Sequence, residues 1–300
     1  LFDVDTASVS GICELCGIGT SVLKYLEQYG VISIYDKEVY RNPYKNVEAT
    51  EVKNIDLSPQ QSKAYDTYSN MLLNGGGSGL LYGVTGSGKT QVYLKLIDKA
   101  LEINKDVIVL VPEISLTPQA LSIFHSRYGN KVAVFHSGLS LGERNDEYKR
   151  ADRGKAKIVI GTRSAVFAPL HNLGLIIMDE EQENTYKSER TPKYNTKDVA
   201  HFRCKYNKAL FLMTSATPSL EAYSNALAGK YVLCELNERF GDAKLPQVIT
   251  VDMKQEMKNG NKSPISSKLK ELISETIDNG KQAILLINRR GYNTFIACND

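Results

Sequence analysis

Six short apolar runs alternate with amphipathic stretches between residues 79 and 213, and this alternation constrains the fold more than any other feature. The runs are Gly79–Tyr82, Val107–Val111, Lys131–Phe135, Ile158–Ile160, Leu175–Met178 and Ala209–Met213. Helical stretches separate most of them: Lys89–Glu102, Pro118–Tyr128, Leu141–Ala151, Thr196–Tyr206 and Ser219–Ala228. Short continuous apolar strands alternating with helices predict an α/β fold, with a mostly parallel sheet covered on both faces. Such sheets bind ligands beyond the carboxyl ends of their strands. The chemistry is therefore expected in the loops that follow the strands.

The loop after the first run reads Gly83-Val84-Thr85-Gly86-Ser87-Gly88-Lys89-Thr90. It fits G-x-x-x-x-G-K-S/T with a strand before it and an amphipathic helix after it, the context this phosphate loop requires. Glycines let the backbone wrap phosphates, and the helix N-terminus adds positive potential. Lys89 is expected to reach the β- and γ-phosphates and Thr90 to hold Mg²⁺. The alternative is a chance glycine-rich turn. After the fifth run come Asp179-Glu180-Glu181-Gln182. Carboxylates delivered by a buried strand call for a cation. Asp179 suits Mg²⁺ coordination and Glu180 suits activation of an attacking water. Glu181 and Glu183 read as the start of a solvated loop.

Other strand ends carry hydroxyls, amides and single basic groups. Pro112, Glu113 and Gln119 follow one strand, and His136 with Ser137 follows the next. Thr162, Arg163 and Ser164 follow another, and Ser215 with Thr217 another. As a set they predict a polar groove able to track a phosphodiester backbone, with Arg163 the best single phosphate contact. Taken one at a time, each is equally a capped helix start.

The flanks differ from this pattern. Residues 1–6 read as the tail of a preceding linker. Over residues 7–45, helices at Ser8–Cys16 and Thr20–Gln28 precede strands at Val31–Tyr35 and Glu38–Tyr40, the outline of a winged helix. That module serves either DNA reading or docking. Residues 46–56 read as a linker and residues 57–239 as one large lobe. Residues 240–300 begin a second α/β unit, with a helix over Ser266–Asp278 and a buried strand over Gln282–Ile287. The opening Leu1-Phe2-Asp3 resembles neither an initiator nor a signal peptide, so an internal excerpt is expected. The net charge of +3 demands no nucleic acid by itself, and no apolar run approaches a membrane span. The five cysteines are expected to be reduced thiols in the cytoplasm. Cys13-x-x-Cys16 lacks a second pair and reads as two buried thiols.

The phosphate loop, the DEEQ box and S-A-T-P, in this order and spacing, are similar to superfamily 2 helicases and translocases. The strings GVTGSGKTQVY, LVPEISLTPQ, HSGLS, IGTRSAVFAPL, MDEEQENTYK, TSATPSLEAY and INRRGY look like those of the bacterial replication-restart DNA helicases. The resemblance covers essentially the whole chain and is least specific between about 229 and 280. It implies a RecA-like phosphate-loop sheet after a small winged helix, followed by the start of a second RecA-like lobe. It implies an ATP-dependent DNA helicase, 3′ to 5′, that remodels stalled forks and starts primosome assembly in the bacterial cytoplasm at the nucleoid. Its partners would be single-stranded and forked DNA, primosome proteins and single-strand binding protein.

Carried over by position, Gln61 resembles the adenine-reading glutamine. Gly83, Thr85, Gly86, Ser87 and Gly88 line the nucleotide phosphates. Ser215 and Thr217 resemble the element coupling hydrolysis to DNA grip. Tyr186 and Tyr194 lie in a segment resembling the family's aromatic-rich loop, where stacking on bases and ordinary packing are both open. Gln182 stands where this family usually has His, and cannot titrate near neutral pH. Arg289 and Arg290 resemble the first segment of the second lobe. Cys298 resembles the first ligand of a zinc-binding insertion, so Zn²⁺ is expected in a longer protein, with ATP and Mg²⁺ here. The 300 residues are expected to bind nucleotide but hydrolyse it poorly. Two rivals remain: another superfamily 2 translocase, and an assembly scaffold switched by nucleotide.

Overall fold

The structure, a computed structural model, describes residues 7–35, 56–189, 191–239 and 247–286. The chain divides into two compact units, Leu1–Asp242 and Ala243–Asp300.

The first unit opens with α1 (Val9–Cys16) and α2 (Thr20–Gln28), which pack against each other. The Ser8 hydroxyl accepts the Gly11 amide as N-cap, and Gly17 ends α1 in the left-handed region at φ 62°. Residues 31–35 form no strand, contrary to the winged-helix outline. The Ile34 amide donates to the Glu27 carboxylate at 2.9 Å rather than to a ladder partner. The companion strand at Glu38–Tyr40 lies outside the described residues. Cys16 is exposed and Cys13 half-buried, so the pair of buried thiols does not form. An eight-residue helix with no buried side chain has no interior to put them in. Among the described residues, no cluster of His, Cys, Asp or Glu could hold a metal, and no single helix is long and apolar enough to cross a membrane.

After α3 (Pro59–Leu73) the chain builds β1 (Gly77–Gly83), α4 (Lys89–Glu102), β2 (Asp106–Leu110), α5 (Pro118–Tyr128), β3 (Val132–Phe135) and α6 (Leu141–Asp152). It continues through β4 (Ile158–Gly161), β5 (Leu173–Met178), α7 (Thr196–Asn207), β6 (Leu210–Ser215), α8 (Leu220–Leu227) and β7 (Val232–Leu236). The strands form one parallel sheet in the order β3-β4-β2-β5-β6-β1-β7. Parallel pairing puts every strand's carboxyl end on the same edge, which gathers the motif loops into one row.

Alternation along each strand divides the core in two. Val107 and Val109 of β2 face a cluster with Tyr68 of α3, Val92 and Leu96 of α4, and Phe124 of α5. Ile108 and Leu110 face the other, with Ala151 of α6, Ala200 and Cys204 of α7, and Ala222 of α8. Both faces are buried, which is why the strands read as unbroken apolar runs. Close helix-on-sheet packing needs a glycine at residue 79, where a Cβ would lie 2.4 Å from the Tyr68 ring.

The free edge of β3 is closed by α6. The buried Glu147 carboxylate accepts the Val134 amide at 2.7 Å, while Arg150 donates to the carbonyls of Asn130 and Val132 at 2.7 and 2.9 Å. Glu147 and Arg150 are themselves paired at 2.5 Å. Burial raises the Glu147 pKa, and the Arg150 guanidinium opposes that shift.

In the second unit, α9 (Met253–Lys258) and α10 (Ser267–Asp278) are tied through Glu256, which accepts the Ser267 amide and hydroxyl at 2.7 and 2.8 Å. Those bonds and one from Asn261 hold its carboxyl below the usual range. Residues 282–286 are not the buried strand expected: they carry no ladder, and Ile284 is 95% exposed. A strand needs neighbours to pair with, and the described part of this unit supplies two helices and no strand. Arg289, Arg290 and Cys298 lie outside the described residues.

Candidate nucleotide-binding and coupling site

The loop between β1 and α4 turns on two glycines in the left-handed region, Gly86 at φ 81° and Gly88 at φ 80°. Gly88 is the N-cap of α4, so the free amides of that helix open onto the loop. The loop is also crowded. A Cβ on Gly88 would lie 2.3 Å from the Gln61 amide nitrogen, and one on Gly83 would lie 2.6 Å from the Ser87 hydroxyl. Lys89 is largely buried, and its ammonium donates to the Gly83 carbonyl at 2.8 Å. Burial pulls its pKa down, opposed by the carboxylates of Glu180 and Asp179.

The buried Ser87 hydroxyl and Gln91 side-chain oxygen have no hydrogen-bond partner among the described residues. Buried polar atoms seldom go unmatched. Together with glycine positions that leave room for no side chain and a lysine aimed across the loop, they fit a nucleotide polyphosphate and its metal.

Gln61 takes part in this loop in a way its sequence position alone does not show. Its side-chain oxygen accepts the Ser58 amide at 2.9 Å, closing a capping box at the start of α3. Its nitrogen donates to the Ser87 carbonyl at 2.8 Å. At 2% exposure it braces the phosphate loop from beneath. The neighbouring Gln60 lines a cleft of about 360 Å³ between α3 and β7.

Across the sheet edge, Asp179 and Glu180 follow β5. The Asp179 carboxylate accepts the Thr214 hydroxyl at 2.5 Å and the Glu180 amide at 3.1 Å. Burial raises its pKa against the lowering effect of the Thr214 hydrogen bond. Glu180 sits at φ 46°, a left-handed conformation that costs a non-glycine residue about 1–3 kcal/mol. From Glu180 a chain of hydrogen bonds runs to the next strand end. The Gln182 amide donates to the Glu180 carboxylate at 2.9 Å, Ser215 donates to the Gln182 oxygen at 2.6 Å, and the Thr217 amide donates to Ser215 at 2.9 Å. The glutamine thus gives at one end and accepts at the other.

Glu181 overturns its reading as a solvated residue. It is 3% exposed, pairs with Lys197 and accepts the Ser219 amide at 2.6 Å. Lys197, Ser219 and Thr214 were not singled out from the sequence, because each acts through a partner distant along the chain.

The expected groove residues separate by burial. Glu113, Gln119, Ser137, Ser164 and Thr217 are exposed, and His136, Arg163 and Tyr194 are half-buried. Burial lowers the His136 pKa. Pro112, Thr162, Tyr186 and Ser215 are buried, so they shape the loops and cannot themselves lie against a nucleic acid. For Tyr186 the packing alternative is the one built. Its hydroxyl lies 2.6 Å from the Asp179 carbonyl oxygen and 3.0 Å from that of Leu110, donating its one proton between them. Tyr194 meets the exposed Phe167 edge to face at 5.0 Å.

The family described as type III restriction enzyme, res subunit, matches residues 54–220, from just before α3 to the start of α8. The chain belongs to that family. Beside this res-subunit match, the chain is similar along most of its length to proteins named replication restart protein PriA. That of Bacillus subtilis (strain 168) is 43% identical over 290 residues, covering 96% of this chain and 36% of the relative. That of Synechocystis sp. (strain ATCC 27184 / PCC 6803 / Kazusa) is 42% identical over 288 residues, covering 93% and 34%. The chain therefore spans about a third of the length of these relatives. Their name is that of the replication-restart family that the sequence strings resemble. Among solved structures, that of RecG bound to a three-way DNA junction superposes with a TM-score of 0.54 at 21% identity, covering 76% of this chain and 29% of that one. That likeness is one of fold: a RecA-like parallel sheet covered by helices on both faces.

Proposed function

We propose that this chain is the nucleotide-binding part of an ATP-driven DNA helicase acting in replication restart. The observation that carries the reading is the unbroken hydrogen-bond chain Glu180–Gln182–Ser215–Thr217. It joins a hydrolytic carboxylate to a loop on the edge where a DNA strand would lie. The similarity to PriA proteins supports DNA as the track and restart as the process.

In this reading the loop amides and Lys89 hold the β- and γ-phosphates, and Thr90 and Asp179 hold Mg²⁺. The metal supplies charge neutralisation of the polyphosphate. Glu180 orients the attacking water and takes its proton. Gln182 and Ser215 link that carboxylate to strand-end loops, where Arg163 contacts phosphate and Tyr194 faces bases. The 3′ to 5′ polarity, forked DNA, primosome proteins, single-strand binding protein, zinc at Cys298 and a nucleoid-associated cytoplasmic site belong to the same proposal and rest on the resemblance.

The test is steady-state ATP turnover by the full-length protein, with and without forked DNA, beside Lys89→Ala. Losing a charge-assisted hydrogen bond costs about 1.5–3 kcal/mol, so nucleotide affinity should fall roughly 10- to 150-fold. DNA stimulation that vanishes in the variant supports the motor. Turnover indifferent to DNA refutes it and leaves a nucleotide-switched scaffold, while stimulation by RNA in place of DNA indicates a different translocase.

A further inference from the structure

The Ser87 hydroxyl and the Gln91 side-chain oxygen, both buried beside the phosphate loop and unmatched among the described residues, require opposite partners. A hydroxyl can donate to a phosphate oxygen. A glutamine side-chain oxygen only accepts, as a phosphate oxygen does, so those two cannot bond. A polyphosphate lying along the loop therefore answers Ser87 and leaves Gln91 unmatched. A buried acceptor seldom stays so.

Gln91 is the third residue of α4, half-buried, with its backbone amide donating to the Gly88 carbonyl at 2.9 Å. A Cβ on Gly88 would lie 3.2 Å from the Gln91 side-chain oxygen and 2.3 Å from the Gln61 side-chain nitrogen. The oxygen thus stands beside the loop on the flank of α3. Its neighbour across Gly88 is a donor nitrogen, which favours the oxygen of the Gln91 side chain on that side over its nitrogen. Gln61 does not complete the bond, because it is held by the Ser58 amide and the Ser87 carbonyl at 2.9 and 2.8 Å. The carboxylate assigned to Mg²⁺ is on the other flank. Asp179 follows β5, and β6 and β1 separate β5 from β7, against which α3 packs. What remains is a hydrogen-bond donor on the nucleoside half of the nucleotide, a ribose hydroxyl or the exocyclic amine of adenine.

We propose that Gln91 is a specificity residue whose side-chain oxygen accepts a hydrogen bond from the nucleoside of the bound nucleotide. The inference rests on the nucleotide-binding reading above and names the half of the ligand that this residue recognises. An oxygen buried by packing alone would leave the preference among nucleosides unchanged. An oxygen that answered the phosphate or metal end would act on pyrophosphate as strongly as on ADP.

The experiment titrates the full-length protein calorimetrically, in Mg²⁺, with ADP, 2′-deoxy-ADP, 3′-deoxy-ADP, purine riboside diphosphate (which lacks the exocyclic amine) and pyrophosphate. Leaving a buried acceptor unmatched corresponds to roughly 5- to 150-fold in affinity. One of the three analogues should therefore bind at least ~5-fold more weakly than ADP, and which one it is identifies the donor. Gln91→Met keeps the length of the side chain and removes the acceptor. In that variant the gap between ADP and the weak analogue should close to within about twofold, with pyrophosphate affinity unchanged to the same extent. Gln91→Ala repeats the comparison if Gln91→Met folds poorly, and the analogue series on the unsubstituted protein needs no variant. Binding of all three analogues within about twofold of ADP overturns the proposal. So does a gap that survives in Gln91→Met, or a pyrophosphate affinity that falls there as far as that of ADP. If the unsubstituted protein binds neither ADP nor pyrophosphate, the nucleotide-binding reading fails and this inference with it. Binding of ADP without discrimination among the analogues removes only the role of Gln91.

Discussion

Replacing Tyr186 with Phe removes one oxygen and leaves the ring where it is. That oxygen is 2.6 Å from the Asp179 carbonyl and 3.0 Å from the Leu110 carbonyl, in a residue only 3% exposed. The Leu110 carbonyl keeps the Asp179 amide at 2.9 Å, so its loss is small. The Asp179 carbonyl loses a short bond in a dry environment. A typical hydrogen bond contributes about 0.5–1.5 kcal/mol, and a buried group left unmatched costs about 1–3. Tyr186→Phe should therefore destabilise by about 1–2 kcal/mol. For a unit of this size each kcal/mol shifts the midpoint by about 2–4 °C, giving a drop of roughly 2–8 °C. Thermal unfolding with and without the substitution measures it. Tyr186→Leu, which removes the ring, separates packing from base stacking. Stacking contributes about 1–3 kcal/mol per base, so a stacking Tyr186 would weaken single-strand binding roughly 5- to 150-fold. A packing Tyr186 leaves the affinity of the folded protein within about twofold. An unshifted midpoint in Tyr186→Phe, together with a large affinity loss in Tyr186→Leu, would refute the buried role.

Gly88→Ala forces a side chain into a left-handed position with its Cβ 2.3 Å from the Gln61 nitrogen. The conformation alone costs about 1–2 kcal/mol, and equilibrium titration with nucleotide should show affinity reduced at least ~10-fold. Stability should also fall on mild acidification. Burial holds the His201 pKa below its usual 6.5, and burial does the same at His125 and His136. Below pH 6.5 the unfolded chain takes up protons before the native one, so stability is lost from about 6.5 down through the depressed native values. Urea midpoints from pH 7.5 to 5 should decline, and His201→Phe, which keeps a ring beside Tyr231 and Phe211, should flatten part of that slope.

The parts of the fold legible in the sequence are those whose signal is local. The phosphate loop is legible because its glycines and lysine must be contiguous, and the central strands because burial on both faces leaves unbroken apolar runs. The edge strand β7 went unseen since Val232 is 40% exposed and Cys234 and Glu235 are not buried, so its run carries no such pattern. The start of α3 was present as Ser58-Pro59-Gln60-Gln61, a capping box with proline at the first position, and could have been found. Residues 282–286 misled in the opposite direction, because apolarity marks a strand only when neighbours exist to pair with it. At the site, Asp179 and Glu180 announce themselves by following an apolar strand. Glu181 does not, since what buries it lies 16 and 38 residues further on, at Lys197 and Ser219.

The Glu147 and Arg150 clamp on β3 also bears on what this protein does at high concentration. Val132-Ala133-Val134-Phe135 is uncharged, rich in strand-forming residues and at the border of the sheet. A segment of that composition with open amides and carbonyls invites strands from other chains. Here the outward Val134 amide and the Asn130 and Val132 carbonyls are already bonded to side chains of α6, so a second chain finds fewer of the groups it would pair with. Glu147 thereby acts as a gatekeeper against edge-to-edge aggregation, and its loss would threaten solubility from the border of the sheet opposite the phosphate loop.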